Sequence, residues 1–144
     1  MTANFNPIYT LVPDVSSNAS TTMPETLLTA TGDYTGVSAN HKLLFTAGAE
    51  GGFIYGLRCV AIGTNTASVI RVYRNNGSAN TTATNNNLIA QYSLPATTAT
   101  NVAATPEIYI PLNEALNPSF RLYAGLGTTV AAGWVVTADR GGKY

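Results

Sequence analysis

The chain has 144 residues, enough for one domain, and its seven basic and seven acidic residues give a formal net charge of zero. Such a balance provides no field to attract nucleic acid or an anionic membrane, so we expect neither as a partner. Charged residues make up only 10% of the chain, against roughly 25% in an average soluble domain. Threonine, asparagine, serine, alanine and glycine replace them, a composition common in extracellular, adhesive and virion proteins.

The first 24 residues differ in composition from the rest. A short apolar cluster is interrupted by Pro7 and Pro13, and residues 16–22 are then small and almost entirely polar. This pattern favours an extended amino-terminal arm over residues 1–24, followed by a domain over residues 25–144. An edge strand followed by a loop is the alternative. The apolar cluster, which we predict to dock on a capsid, consists of Phe5, Ile8, Tyr9, Leu11 and Val12.

The remaining chain reads as short strands separated by turn-forming residues at intervals typical of a β-sandwich. Residues 75–87 form a long polar loop, and residues 113–118 suggest a single helical turn or a bend. Prolines near residues 107–112 favour an edge position for that strand. The sequence therefore predicts an all-β, antiparallel, jelly-roll-like sandwich of seven to eight strands. The predicted strands span 25–30, 41–46, 53–62, 67–74, 88–94, 107–112, 119–124 and 130–138.

The strand at 53–62 carries apolar side chains on both of its faces, and a polar turn at 63–66 joins it to the next strand as a hairpin. Strict alternation places Ile54, Val60 and Ile62 on one face, opposite Phe53, Tyr55, Leu57, Cys59 and Ala61. A two-layer domain has only one core to cover one face. The other face therefore suggests a neighbouring subunit or a covering segment.

Three arginines lie within predicted strands among apolar residues, and two of them share a face with a tyrosine. Arginine and tyrosine together are typical of protein interfaces, although arginine on a solvated sheet face is the alternative. We predict a homo-oligomer, most simply a trimer. Its predicted interface comprises Ile54, Arg58, Val60, Ile62, Arg71, Tyr73, Arg121, Tyr123 and Val135.

The sequence contains none of the common catalytic or metal-binding patterns. His41 is the only histidine and Cys59 the only cysteine, which excludes a multi-histidine metal cage and an internal disulfide. A thiol among apolar strand neighbours should be inert, and the carboxylates are scattered. We therefore expect no catalytic, cofactor-binding or metal-binding residues, and no enzyme.

Four blocks carry a resemblance to a known group of proteins: FTAGAEGG (45–52), GTNTASVIRVYRNNG (63–77), SLPATTAT (93–100) and residues 107–144. The last contains the most specific part, GTTVAAGWVVTA, and ends at the aromatic Tyr144. These blocks resemble small virion structural proteins of tailed bacteriophages and prophages. The resemblance implies a β-sandwich that decorates the capsid exterior, and it brings no catalytic motif.

The expected function is accordingly a capsid decoration or cement protein that binds the major capsid protein and stabilises the shell. No leader sequence or apolar run of roughly 20 residues is visible, so we expect synthesis in the host cytoplasm and residence in the virion. Two alternatives stay open: a glycan- or receptor-binding module of a tail fibre, and a head–tail connector or tail protein.

Overall fold

The computed structural model describes residues 25–31 and 34–144 as two four-stranded antiparallel sheets packed face to face. The predicted arm over residues 1–24, with its docking residues Phe5, Ile8, Tyr9, Leu11 and Val12, lies outside the described residues. A short 3₁₀ turn spans Ala83–Asn85. The strands are β1 (Glu25–Leu27), β2 (Lys42–Thr46), β3 (Gly52–Ala61), β4 (Ser68–Asn75), β5 (Asn86–Leu94), β6 (Glu107–Leu116), β7 (Arg121–Leu126) and β8 (Trp134–Lys143).

The strand order in both sheets is that of a jelly roll. The first sheet runs β1-β8-β3-β6 and the second β2-β7-β4-β5. Of the consecutive strand pairs, only β4 and β5 are hydrogen-bonded neighbours. Every other connection crosses between the sheets, which is the connectivity of two interlocked Greek keys. The predicted all-β, jelly-roll-like sandwich is confirmed, and its eight strands fall within the predicted number.

Two local predictions are wrong. Strands β3 and β4 do not form a hairpin, because β3 pairs with β6 and β8 whereas β4 pairs with β5 and β7. The segment at 113–118 is not a helical turn, since β6 continues to Leu116. Asn113 takes a positive φ of 50° where the pairing of β6 with β3 shifts by one residue. A bulge thus absorbs the irregular residues without ending the strand. The predicted edge position of β6 is confirmed.

The core between the sheets holds the largest side chains of the domain. Trp134, Phe45 and Leu57 are fully buried there, as is the free thiol of Cys59. The indole Nε1 of Trp134 has no hydrogen-bond partner within the described part of the chain. Alternation within the predicted strands at 130–138 and 53–62 predicts that Trp134 and Cys59 face the core, and the burial of both is confirmed.

The side chains of β3 do not alternate strictly between the core and the outer face. Ile54 is fully buried in the core together with Leu57 and Cys59, although strict alternation would separate them. The alternation breaks between Ile54 and Leu57, beside the place where the pairing with β6 shifts and β6 carries one extra residue. The prediction that Ile54 contacts another subunit is therefore wrong.

Asn65 holds three loops together at one end of the sandwich. Its Nδ2 group donates hydrogen bonds to the carbonyl of Gly133 at 3.1 Å and to the Thr97 hydroxyl at 3.3 Å. Its Oδ1 atom accepts from the backbone N–H groups of Ala132 and Gly133 at 2.9 and 2.8 Å. The predicted polar turn at 63–66 is thus the connection where the chain crosses between the sheets, and the buried Asn65 side chain fixes it by hydrogen bonds.

Candidate functional site

The predicted interface residues divide between the two opposite outer faces of the sandwich. Arg58, Val60, Ile62 and Val135 lie on the first sheet, or directly beside it. Arg71, Tyr73, Arg121 and Tyr123 lie on the second sheet. The core separates the two groups, so they cannot form one continuous surface. We call Arg58, Val60, Ile62 and Val135 the outer strip.

The outer strip is apolar at its centre and charged at its edge. Val60 and Val135 are register partners on neighbouring strands and both are half-buried. Ile62, just beyond the end of β3, keeps 54% of its surface exposed. Arg58 lies on the same face, with its Nε atom 3.4 Å from Oε1 of Glu107 in an exposed ion pair. An apolar strip with a charged edge is suited to contact with another protein surface.

The outer face of the second sheet is covered by the chain's own connection between β1 and β2. Gly36, with a φ of 75°, lies against Tyr73, where a Cβ would come within 2.9 Å of the ring. Nδ1 of His41 donates a hydrogen bond to the carbonyl of Gly36 at 2.7 Å, and its ring centroid lies 4.7 Å from that of Tyr73. We call residues 34–41 the covering segment.

Two predicted interface residues lie beneath the covering segment. The solvent-exposed fraction is 1% for Tyr73 and 8% for Arg71. The Arg71 guanidinium carbon lies 4.1 Å from the centroid of the Tyr34 ring, which is the geometry of a cation–π contact. The prediction that Arg71 and Tyr73 lie in a subunit interface is therefore wrong for the described arrangement. A covering segment was expected as one of two possibilities, but over the face of 53–62, which belongs to the other sheet.

Arg121 and Tyr123 are half-buried on the second sheet. The Arg121 Nη1 atom donates to the carbonyl of Ser78 at 3.5 Å, which ties it to the polar loop after β4. Their place in an interface stays a prediction.

A groove of about 430 Å³ lies beyond the other end of the outer strip, lined by Phe53, Tyr55, Gly141 and Tyr144. The Phe53 and Tyr55 rings meet edge to face, with centroids 4.8 Å apart. Tyr55 keeps 51% of its surface exposed. We call this the aromatic groove. Sequence reasoning missed it because strict alternation placed Phe53 and Tyr55 with the core residues, whereas the break in alternation before Leu57 leaves them on the outer face.

The Cys59 thiol and the His41 imidazole are both buried. Burial raises the pKa of the Cys59 thiol to about 12, which keeps it protonated at neutral pH. The His41 side chain packs where a Cβ on Gly125 would overlap it. Within residues 25–31 and 34–144, no three His, Cys, Asp or Glu side chains are grouped so as to hold a metal ion. That same part of the chain contains no helix of the length and apolarity needed to cross a membrane.

Comparison with known protein families, with curated proteins and with solved structures finds no match to this chain.

Proposed function

We propose that this chain is a structural protein of a tailed-phage virion, and specifically a capsid decoration protein that attaches to the outer shell as a homo-oligomer. The outer strip is the observation that carries the proposal. Val60, Ile62 and Val135 form an apolar strip on a sheet face directed away from the core. Contact with a second protein surface would remove this strip from water.

The composition supports the same proposal. A chain with zero net charge and 10% charged residues gains little from long-range electrostatic attraction. Its attachment would therefore depend on apolar contacts and hydrogen bonds at short range. The resemblance of residues 43–144 to virion structural proteins gives the partner its identity, the major capsid protein, and gives the location as the capsid exterior.

Copy number in purified virions tests this proposal. Quantitative mass spectrometry of density-purified particles should find the chain in hundreds of copies, because a decoration protein binds a repeated lattice. About a dozen copies or fewer would instead indicate a head–tail connector or a tail protein. Absence from the particle would refute the virion role.

A glycan-binding module is a second candidate, favoured by the aromatic groove. Exposed aromatic rings such as Tyr55 present an apolar surface on which a sugar ring can stack. Trp134 does not contribute, because it is fully buried in the core. A glycan array probed with wild-type protein and with Tyr55→Ala separates the two functions: binding that depends on Tyr55 supports the module, and no binding supports decoration.

A further inference from the structure

The aromatic groove, with a volume of about 430 Å³, is a recess outside the outer strip. Its walls are held firmly by backbone contacts. The Tyr144 N–H donates to the carbonyl of Gly51 at 3.0 Å, and the Tyr144 carbonyl accepts from the N–H of Glu50 at 3.2 Å. Gly141 has a φ of 137°, and a Cβ there would overlap the backbone carbonyl of Phe53. The groove is therefore preformed in the described structure, and its aromatic rings offer a contact surface for an apolar segment.

The direction of β1 leads towards this groove. Glu25 pairs with Val136 and Leu27 with Trp134, so β1 runs antiparallel to β8. Going backwards from Glu25 therefore follows β8 towards its carboxyl end, where Gly142 pairs with Phe53. Tyr144 lies eight residues beyond Val136, a distance of about 27 Å along a strand.

The length of chain before Glu25 is sufficient to reach the groove. Thirteen residue steps separate Val12 from Glu25, and an extended chain of that length spans about 43 Å. Residues 16–22 are small and polar, as a linker crossing solvent should be. Before that linker, going towards the amino terminus, the first apolar residues are Val15 and then the cluster that ends at Val12.

The chemistry of residues 5–12 matches that of the groove. The segment FNPIYTLV carries no charged side chain, so an aromatic recess can take it without burying an unpaired charge. Pro7 restricts its backbone, which lowers the entropy lost when the segment becomes ordered. We propose that residues 5–12 of the same chain occupy the aromatic groove in the protein before it attaches to a partner.

Disulfide trapping tests this contact directly. In a Leu11→Cys/Glu50→Cys variant, mild oxidation at low protein concentration should form a disulfide within one chain. Glu50 is exposed and its N–H donates to the Tyr144 carbonyl, so the new thiol lies beside the groove and leaves its Phe53 and Tyr55 rings intact. The native Cys59 does not compete, because it is fully buried. The matched control is Leu11→Cys/Val102→Cys, since Val102 is exposed in a loop outside both the groove and the outer strip. The first variant should close about tenfold faster than the control, as its two thiols have the higher effective concentration.

Equal rates in the two variants, or disulfides that link two different chains, would overturn the proposal. Hydrogen exchange of the otherwise wild-type protein supplies a second measurement. Amides of residues 5–12 should be protected and should exchange about tenfold faster in Tyr55→Asp, which removes the aromatic wall without disturbing the core. Unprotected amides in the wild type, or protection unchanged in Tyr55→Asp, would also refute it. Both experiments are independent of the virion role, which copy number alone decides.

Discussion

At the scale of single residues, Trp134 is the side chain on which the core most depends. It is fully buried between the sheets, so truncation leaves a cavity that the surrounding strands cannot fill. Trp134→Ala should lower the free energy of unfolding by about 3–5 kcal/mol, measured by urea denaturation. Binding to shells should be unchanged at temperatures where the variant is folded. A folded variant of wild-type stability would contradict the assignment of Trp134 to the core.

Cys59 predicts how stability changes at alkaline pH. Burial raises the pKa of its thiol to about 12 from the ordinary value of 9.0. The unfolded chain therefore loses this proton at a lower pH than the folded chain, and the stabilisation present below pH 9 is lost as pH rises towards 12. Between these values the thiol should reduce the free energy of unfolding by up to about 1.4 kcal/mol per pH unit.

The measurement is urea denaturation at several pH values from 8 to 10.5 for the wild type and for Cys59→Ala. Replacing the thiol lowers stability at every pH because it leaves a small cavity, but it should remove the additional alkaline slope. Identical slopes for the two proteins would show that the thiol ionises equally in the folded and unfolded states.

Residue burial could be predicted from sequence wherever strands alternate regularly. Trp134 and Cys59 follow that alternation, and both lie in the core as expected. Ile54 does not, because alternation along β3 breaks before Leu57, next to the shifted pairing with β6, and no turn residue in the sequence marks that break unambiguously. Tyr73 was unpredictable for a different reason: what covers it is a segment more than thirty residues away in the sequence.

At the scale of elements, the outer strip of the first sheet predicts the oligomer interface. Val60→Lys places a charge opposite Val135, where a second subunit would bury it unpaired at a cost of several kcal/mol. The variant should fold but dissociate to a monomer in multi-angle light scattering. Val102→Lys is the matched control, because Val102 is almost fully exposed in the loop before β6. A wild-type protein that is monomeric at micromolar concentration would refute the oligomer.

Strand identity was more predictable than strand pairing. All eight strands overlap the predicted segments, because branched and aromatic residues mark a strand locally. Pairing depends on partners far along the chain, and the polar turn at 63–66 is compatible with either a hairpin or a crossing between sheets. The pairing of β3 with β6 and β8, and of β4 with β5 and β7, shows that the crossing is formed. The buried hydrogen bonds of Asn65 with Gly133 and Thr97 hold the turn in that position.

At the scale of the whole molecule, residues 5–12 are expected to bind the aromatic groove before attachment and the capsid shell after it. Their apolar side chains contribute about 1.5–3 kcal/mol each when fully buried, and ordering the backbone opposes this by about 1–2 kcal/mol per residue. Attachment through one arm is therefore modest, and several arms of one oligomer strengthen it together. The aromatic groove and the capsid shell would compete for the same segment.

Deleting residues 2–22 should leave a folded sandwich that binds undecorated shells with clearly reduced occupancy, measured by co-sedimentation and densitometry. Because the anchors are apolar, raising the salt concentration should weaken attachment of the wild type only slightly. Wild-type occupancy by the deleted form would show that the sandwich itself, or the polar loop at 75–87, makes the docking contacts.

The position of β8 has a consequence for the synthesis of the protein. This strand lies between β1 and β3 in the first sheet, so neither can be joined to the other until the chain has been made beyond Trp134. While the ribosome is still adding residues, the second sheet has its apolar face uncovered, and long-range strand pairing of this kind forms slowly. A nascent chain halted before β8 would lack the strand that joins β1 to β3 and would leave the core incompletely covered, so the described sandwich closes only after β8 has left the exit tunnel.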